Sequence, residues 1–377
     1  MRRIQTRHGL ALAALGATAL LLSACGTTDV DAGADASASP ASANCADDKT
    51  QTSTDPVDMT DMLGRQVKLD KPASRVAVLE WQQTEDLLSL CVNPVGAAST
   101  KDYTTYVSAE KLPDSTKDVG ERGEPDLDAI YGTNPDLIIV EAYSKDDKIL
   151  KKLEERDVPV LATVGADAKN GQLDNMRKVF KQVAEATGRT ERADAVLSDF
   201  DSHLATAKEK VAKVDMPVKD FVFFDGWKEG GNVVVRPYGK GALFTELGEQ
   251  LGMKGAWTDE VNKGYGSGGV DPAYGLAQTD IEGLTAVGSA NLFYGDDGQA
   301  DNYVTDLKKS KIWKNLPAVK DNRAYAFPAG VWGAGGPKSG EQAIDAFVKV
   351  IQDNAAGAGA DSASDSASDS ASGAASK

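Results

Sequence analysis

Histidine is almost absent from this 377-residue chain, which carries only His8 and His203. A three-histidine metal site is therefore impossible, and a Ser-His-Asp triad would have to be built on one of these two. Basic residues are also in deficit, with 41 Lys and Arg against 57 Asp and Glu and a formal charge of −16. That balance argues against nucleic acid as a partner. No apolar run reaches the roughly 20 residues that a membrane-spanning helix needs. A phosphate-cradling Gly-x-x-x-x-Gly-Lys-Ser/Thr is missing, and Gly264, Gly266, Gly268 and Gly269 neither follow a strand nor open a helix as a dinucleotide fingerprint requires. The stretch from Lys263 to Gly269 reads as a loop around Tyr265. Enzyme is the weaker class, with no catalytic residue, no cofactor and no protein-ligated metal expected.

What is present begins with Arg2, Arg3 and Arg7, then an uncharged stretch of about 14 residues from Gly9 to Leu22, then Leu22-Ser-Ala-Cys25. This basic, apolar, small-residue order is that of a secretory signal. It resembles the signal peptide of bacterial lipoproteins, which implies cleavage after residue 24 and lipid on Cys25, an anchor on the outer face of a membrane. The other reading is an ordinary cleaved signal with an incidental cysteine. Without the leader, 38 basic against 57 acidic residues leave a formal charge of −19. Cys45 and Cys91 remain, an even number that in an oxidising exterior favours a disulfide over two free thiols.

Residues 25–57 are rich in small and polar side chains and read as a disordered tether, and 354–377, with repeated Asp-Ser-Ala-Ser, as a disordered acidic tail. Between them, short apolar runs alternate with amphipathic stretches, the mark of α/β layers with largely parallel sheets. Strands are expected at Arg75 to Glu80, Val95 to Ala98, Leu137 to Val140 and Val158 to Val164. Helices are expected at Thr84 to Leu90, Leu127 to Tyr131 and Asp147 to Arg156. From 171 to 213 the alternation gives way to a helical connector, interrupted near Gly188, where Thr190 is a candidate cap. Strands return at Phe221 to Phe224, Val233 to Val235, Leu292 to Tyr294 and Ala324 to Phe327, with helices near Ala242 to Leu251, Tyr303 to Lys309 and Gly340 to Ile351. The expected architecture is two Rossmann-like α/β lobes, 58–170 and 214–353, joined by a long helix, with a ligand cleft between them. His203, in the polar connector, reads as a solvated helix residue.

Ala77-Val-Leu-Glu-Trp81, Pro94-Val-Gly96, Lys111 to Ser115, Asp118 to Leu127 and Asn134-Pro-Asp-Leu-Ile-Ile139 form an ordered series. In that order and spacing they resemble the iron–siderophore-binding proteins of ABC importers, most closely the ferric hydroxamate binders. The resemblance covers roughly Asp58 to Gln352. It implies that Arg122, in the Gly-x-Arg-x-Glu-Pro segment, hydrogen-bonds iron-bound oxygens, that Tyr143 joins it, and that Trp81, Tyr106, Tyr265 and Trp332 wall the cleft. Tyr106 and Tyr265 stand where those relatives often carry Trp. The chemistry is coherent, since three hydroxamates give Fe³⁺ six oxygen ligands and the protein need only donate to those oxygens and cover an organic shell. Arg122 has another reading, an ion pair with the flanking Glu121 or Glu124.

Arg236, past a strand end in the second lobe, lies where ligands of α/β sheets gather, or else in a loop salt bridge. Tyr238 is cleft wall or packing. Trp332, among Gly and Ala neighbours, reads as loop rather than core. The evident cations are few, which favours a neutral or cationic hydroxamate complex over a catecholate. Haem, cobalamin or a catecholate or citrate siderophore is the alternative within binding, and a surface enzyme or cell-wall interaction protein the alternative outside it. The resemblance further implies delivery to an ABC permease through an acid on each lobe, near Asp146-Asp147 and at Glu282. The chain is expected to act as a monomer.

Overall fold

The computed structural model describes residues 45–267 and 269–368. The leader (1–24), Cys25 and most of the expected tether lie outside the described residues, as do Gly268 and 369–377. Among the described residues no helix is long and apolar enough to cross a membrane.

The first lobe opens with an antiparallel hairpin, β1 (Val57–Thr60) and β2 (Gln66–Leu69). There follow β3 (Val76–Val78), α1 (Trp81–Ser89), β4 (Gly96–Ala97), α2 (Thr100–Tyr106) and β5 (Lys117–Asp118). A second small hairpin, β6 (Gly120–Glu121) and β7 (Glu124–Pro125), precedes α3 (Leu127–Gly132), β8 (Leu137–Glu141), α4 (Lys148–Leu153) and β9 (Val160–Thr163). Five of these strands form one wholly parallel sheet in the order β5-β4-β3-β8-β9.

The sheet is buried on both faces, which explains why its strands read as continuous apolar runs. Val76, Val78, Leu137, Ile139 and Leu161 point to one side, against Leu87 and Leu88 of α1. Ala77, Ile138, Val140, Val160 and Ala162 point to the other, against Ile130 of α3 and Leu150 and Leu153 of α4. The period of two along each strand sorts these sets.

The connector is two helices, α5 (Gln172–Ala186) and α6 (Thr190–Val211). Gly188, at φ +68°, turns the chain between them, and a Cβ there would press on Ser53 O and Pro72. Thr190 is already helical; the cap position falls on Arg189, and no side chain caps the helix. Arg189 instead turns its buried guanidinium back on the chain's start, donating to Leu90 O (2.8 Å) and Thr52 Oγ1 (2.9 Å) and pairing with Asp48.

The second lobe holds β10 (Asp220–Glu229), β11 (Asn232–Pro237), α7 (Leu243–Gln250), β12 (Lys254–Gly255), α8 (Asp259–Tyr265) and β13 (Thr279–Asp280). A 3₁₀ helix (Ile281–Val287) follows, then β14 (Asn291–Tyr294), α9 (Tyr303–Lys309), α10 (Lys311–Asn315), α11 (Pro317–Lys320), β15 (Ala324–Ala326) and α12 (Pro337–Ser368). Its sheet runs β13-β11-β10-β14-β15, with β12 also on β10. It is mixed, contrary to the parallel expectation, because β10 and β11 form an antiparallel hairpin through Gly230 and Gly231. Phe221, Phe223 and Phe293 pack on Phe244 of α7 and Phe347 of α12. Val222, Phe224, Leu292 and Tyr294 face Leu307 and Trp313 on the opposite side.

Two expected boundaries move. Residues 45–57, read as tether, are held in place, because Cys45 is bridged to Cys91 with a Cα separation of 5.6 Å and Asp48 is held by Arg189. At the other end α12 continues to Ser368, through most of the segment read as a disordered tail, where Ala supplies helix propensity. His203 of α6 is not merely solvated, since Nε2 lies 2.9 Å from Asp345 Oδ1 on α12.

The bridge predicts that a thiol reagent applied to the unfolded, unreduced protein labels neither Cys45 nor Cys91. Reduction should expose both and lower stability by about 2–4 kcal/mol, measured by denaturant titration. Labelling before reduction overturns the pairing.

Candidate functional site

The strands set the site. In a parallel sheet, neighbouring strands end together, so the residues just past them converge at one edge. Val78 of β3 pairs with Ile139 of β8, which brings Glu80 and Glu141 to that edge side by side. Glu80 also caps α1, accepting from Trp81 N (2.7 Å). Arg122, in the turn between β6 and β7, reaches the same place: its Nε lies 2.7 Å from Glu80 Oε1. The ion pair read as an alternative for Arg122, with Glu121 or Glu124, is made with Glu80 instead, while Glu121 accepts from Ser99 Oγ (2.7 Å). The Arg122 guanidinium lies 4.3 Å from the centre of the Trp81 ring and 5.6 Å from that of Trp332.

Arg122 opens onto a cleft of about 430 Å³ between the lobes. Trp81 and Tyr106 stack at 6.0 Å on the first-lobe wall, and Trp332, from the second lobe, meets Trp81 edge-on at 5.0 Å. Trp81 is buried and donates through Nε1 to Ala98 O (3.3 Å), so only part of its ring is offered to a ligand. Trp332 is half-buried, neither free loop nor core. Nearby, Ser108 N donates to Gly330 O (2.9 Å), and a Cβ on Gly330, at φ +79°, would collide with Ser108, so the lobes touch there only because the residue is glycine.

The opposite wall comes from the β10–β11 hairpin and the segment after β14. Asp225 and Arg236 are cross-strand partners, joined by Nε to Oδ1 at 2.8 Å and Nη2 to Oδ2 at 2.6 Å. The salt bridge read as an alternative for Arg236 is therefore made, and the side chain still lines the cleft. Tyr238, read as cleft wall or packing, packs on Phe223 and Phe244 and also lines the cleft, where its hydroxyl donates to Asp225 (3.2 Å). Burial first, then the Asp225 charge, pushes its phenol well above the usual range.

Sequence reasoning missed Asp225, Trp227, Lys228, Asp296, Asp297, Asp301 and Tyr303, all in the lining. The signal was available for Asp296 and Asp297, which follow β14 directly at a strand's carboxyl end. Lys228 pairs with Asp301. Asp296 and Asp297 accept instead from the Asn302 amide and from the Gly298 and Gln299 backbones. Burial and the nearby Asp297 charge raise the Tyr106 phenol.

Tyr143 and Tyr265 are not in the cleft lining. Tyr265 ends α8, exposed, its carbonyl accepting from Thr279 Oγ1 (2.7 Å). Tyr143, also exposed, donates to Glu141 Oε1 (2.7 Å), which accepts in addition from the second-lobe Tyr274 hydroxyl (2.9 Å). Burial, then the neighbouring Glu80 charge, raises the Glu141 carboxyl to about 7. Asp147 caps α4, accepting from Ile149 N (3.1 Å), and Glu282 is exposed in the 3₁₀ helix. Among the described residues no group of three His, Cys, Asp or Glu could hold a metal ion.

A family model described as periplasmic binding protein matches residues 76–330. The iron(3+)-hydroxamate-binding protein of Escherichia coli is 27% identical over 286 residues, covering 75% of this chain and 87% of that one. Among solved structures, the siderophore-binding protein of Vibrio cholerae with Fe³⁺–Desferal bound superposes with a TM-score of 0.61 at 22% identity, over 74% of this chain and 97% of that one. The triscatecholate siderophore-binding protein of Bacillus subtilis with ferri-bacillibactin gives 0.58 at 22%, over 77% and 96%.

Asp225→Ala should cost about 2 kcal/mol of stability in denaturant titration, because the Arg236 guanidinium and the Tyr238 hydroxyl would both lose their acceptor. A loss under 0.5 kcal/mol would mean that solvent already satisfies Arg236.

Proposed function

This chain belongs to the periplasmic binding protein family, an extracytoplasmic solute-binding protein and not an enzyme, and we propose that it captures a ferric siderophore of hydroxamate type for an ABC permease. The observation that carries the reading is the cleft's composition: flat aromatic walls around the Arg122 guanidinium, with more carboxylates than cations. Arg122, Lys228 and Arg236 face Asp225, Asp296, Asp297 and Asp301, and each of the three cations already has an acidic partner. A triscatecholate complex, carrying high negative charge, would meet a wall of its own sign. A neutral or cationic trihydroxamate complex would not. Its iron-bound oxygens accept from the outer nitrogens of Arg122, and its carbon shell lies on Trp81, Tyr106 and Trp332. Lipid on Cys25 would hold the protein at the membrane, and two acyl chains suffice where one does not.

Tryptophan fluorescence should quench on adding ferric desferrioxamine and not on adding the iron-free chelator. Arg122→Ala should weaken this binding by about 1.5–3 kcal/mol with the fold intact; unchanged affinity removes Arg122 from the site.

Delivery requires a surface that meets the permease, and Asp147 and Glu282, one on each lobe, are proposed to steer that meeting. Asp147→Lys combined with Glu282→Lys should abolish iron uptake by cells while leaving fluorescence-measured binding unchanged. Uptake that persists places the contact elsewhere. Asp147 also caps α4, so the thermal midpoint of the variant is measured alongside.

A further inference from the structure

We propose that Trp227, on the free end of the β10–β11 ribbon, is a specificity-determining residue that contacts the hydrocarbon linkers of the chelate. The protein thereby selects iron held by hydroxamates strung on one chain over iron held by three separate small hydroxamates. The inference rests on the preceding reading that the cleft takes a ferric trihydroxamate with its six-oxygen centre at Arg122.

The ribbon outruns its sheet. Among the described residues, β14 pairs with β10 as far as Phe224 and β13 pairs with β11 at Val234 and Val235, while Gly226 to Glu229 pair with β11 alone. Two strands by themselves are marginally stable, so side chains hold this ribbon in place. Tyr303 lies against Gly226, where a Cβ would come within 2.9 Å of the Tyr303 ring, and Lys228 pairs with Asp301. Asp225 and Trp227, two residues apart, share the other side of the strand. Arg236, cross-strand from Asp225, holds its guanidinium 5.9 Å from the centre of the Trp227 ring.

The indole is therefore positioned without being covered. Of the five tryptophans, Trp81, Trp257 and Trp313 are buried, Trp332 is half-buried, and Trp227 is 37% exposed while lining the cleft. Tyr106 is exposed to the same extent on the first-lobe wall, so each lobe sets one open aromatic ring at the cleft. The Arg236 guanidinium already has Nε and Nη2 on Asp225. With those nitrogens engaged, what the ribbon adds to the cleft is chiefly a flat apolar face. A chelate has two chemically different parts. The oxygens around iron need donors, which Arg122 supplies, whereas linker methylenes accept no hydrogen bond and gain only by leaving water. The linkers surround the oxygen centre and reach further than it does, so they are the part that meets Tyr106 and Trp227. Iron held by three acetohydroxamates has the same centre without linkers, and it leaves Trp227 wet.

The test titrates ferric desferrioxamine and iron tris-acetohydroxamate, by fluorescence, into the wild type, Trp227→Ala and Trp227→Phe. Trp227→Ala should lose about tenfold or more in affinity for ferric desferrioxamine and change by less than about twofold for the small complex. Trp227→Phe, which keeps a flat ring, should lose less than about threefold. A second readout uses gallium desferrioxamine, which keeps the oxygen shell without the colour of iron. The fluorescence that the wild type has and Trp227→Phe lacks should be open to acrylamide in the free protein and shielded in the loaded one. Equal desferrioxamine affinity in the wild type and Trp227→Ala, or a Trp227 signal still open to acrylamide in the loaded protein, overturns this inference and leaves the proposed function standing. Equal losses for both complexes also overturn it, since a residue that merely shapes the cleft weakens both. No binding of either complex by the wild type overturns both readings. Should the small complex bind too weakly to titrate, or Trp227→Ala fail to fold, the acrylamide comparison decides alone.

Discussion

The cleft depends on a nine-residue helix that solvent does not reach. Every residue of α1 is buried, including Gln82, Gln83, Glu85 and Asp86, because the helix lies where the lobes meet. Glu85 accepts from Ser339 N (2.8 Å) and Ser339 Oγ (2.5 Å), tying the first lobe to the start of α12. Burial favours the neutral form of these acids: it raises the Glu85 carboxyl to about 7 and that of Asp86 well above its usual value. The approach is close enough that a Cβ at Gly335 or Gly336 would collide with Ser339 or Asp86. Trp81 opens this helix and Trp332 lies just before those glycines, so the aromatic pair that flanks Arg122 inherits its spacing from the buried contact.

Much of the fold was legible because both sheets are two-sided. Leu137 to Val140 and Phe221 to Phe224 are uninterrupted apolar runs, and a strand with helices on both faces has no polar side to disguise it. The β1–β2 hairpin was not seen, since it alternates over only four residues per strand and lies in a polar neighbourhood. The fixed placement of residues 45–56 was missed for a related reason. Residues 45–56 bury almost no hydrocarbon and are held by a covalent bond and by Arg189, neither of which leaves a periodic signature.

The site divides in the same way. Trp81, Tyr106, Arg122, Arg236, Tyr238 and Trp332 were nameable in advance and meet around one cleft. Their counter-charges were not, because Glu80 is 42 residues from Arg122 in sequence and reaches it only through the register of β3 and β8 with the β6–β7 turn. Acidic residues are so common here that no individual one stands out before the fold is known. The pairing matters more than the cations alone: a cleft with three basic groups looks anion-selective until each is seen beside its own carboxylate.

The Cys45–Cys91 bridge has a mechanical meaning for any pull that reaches the chain from ahead of Cys45. Tension arriving from that side passes through the sulfurs into the turn that follows α1, and the segment from Ala46 to Pro56 carries none of it. The weak, mostly polar contacts of that segment are therefore never loaded in series. Force enters at the helix on which both lobes rest, so a protein tugged at its leading end is pulled by its most deeply packed element rather than unzipped from its edge.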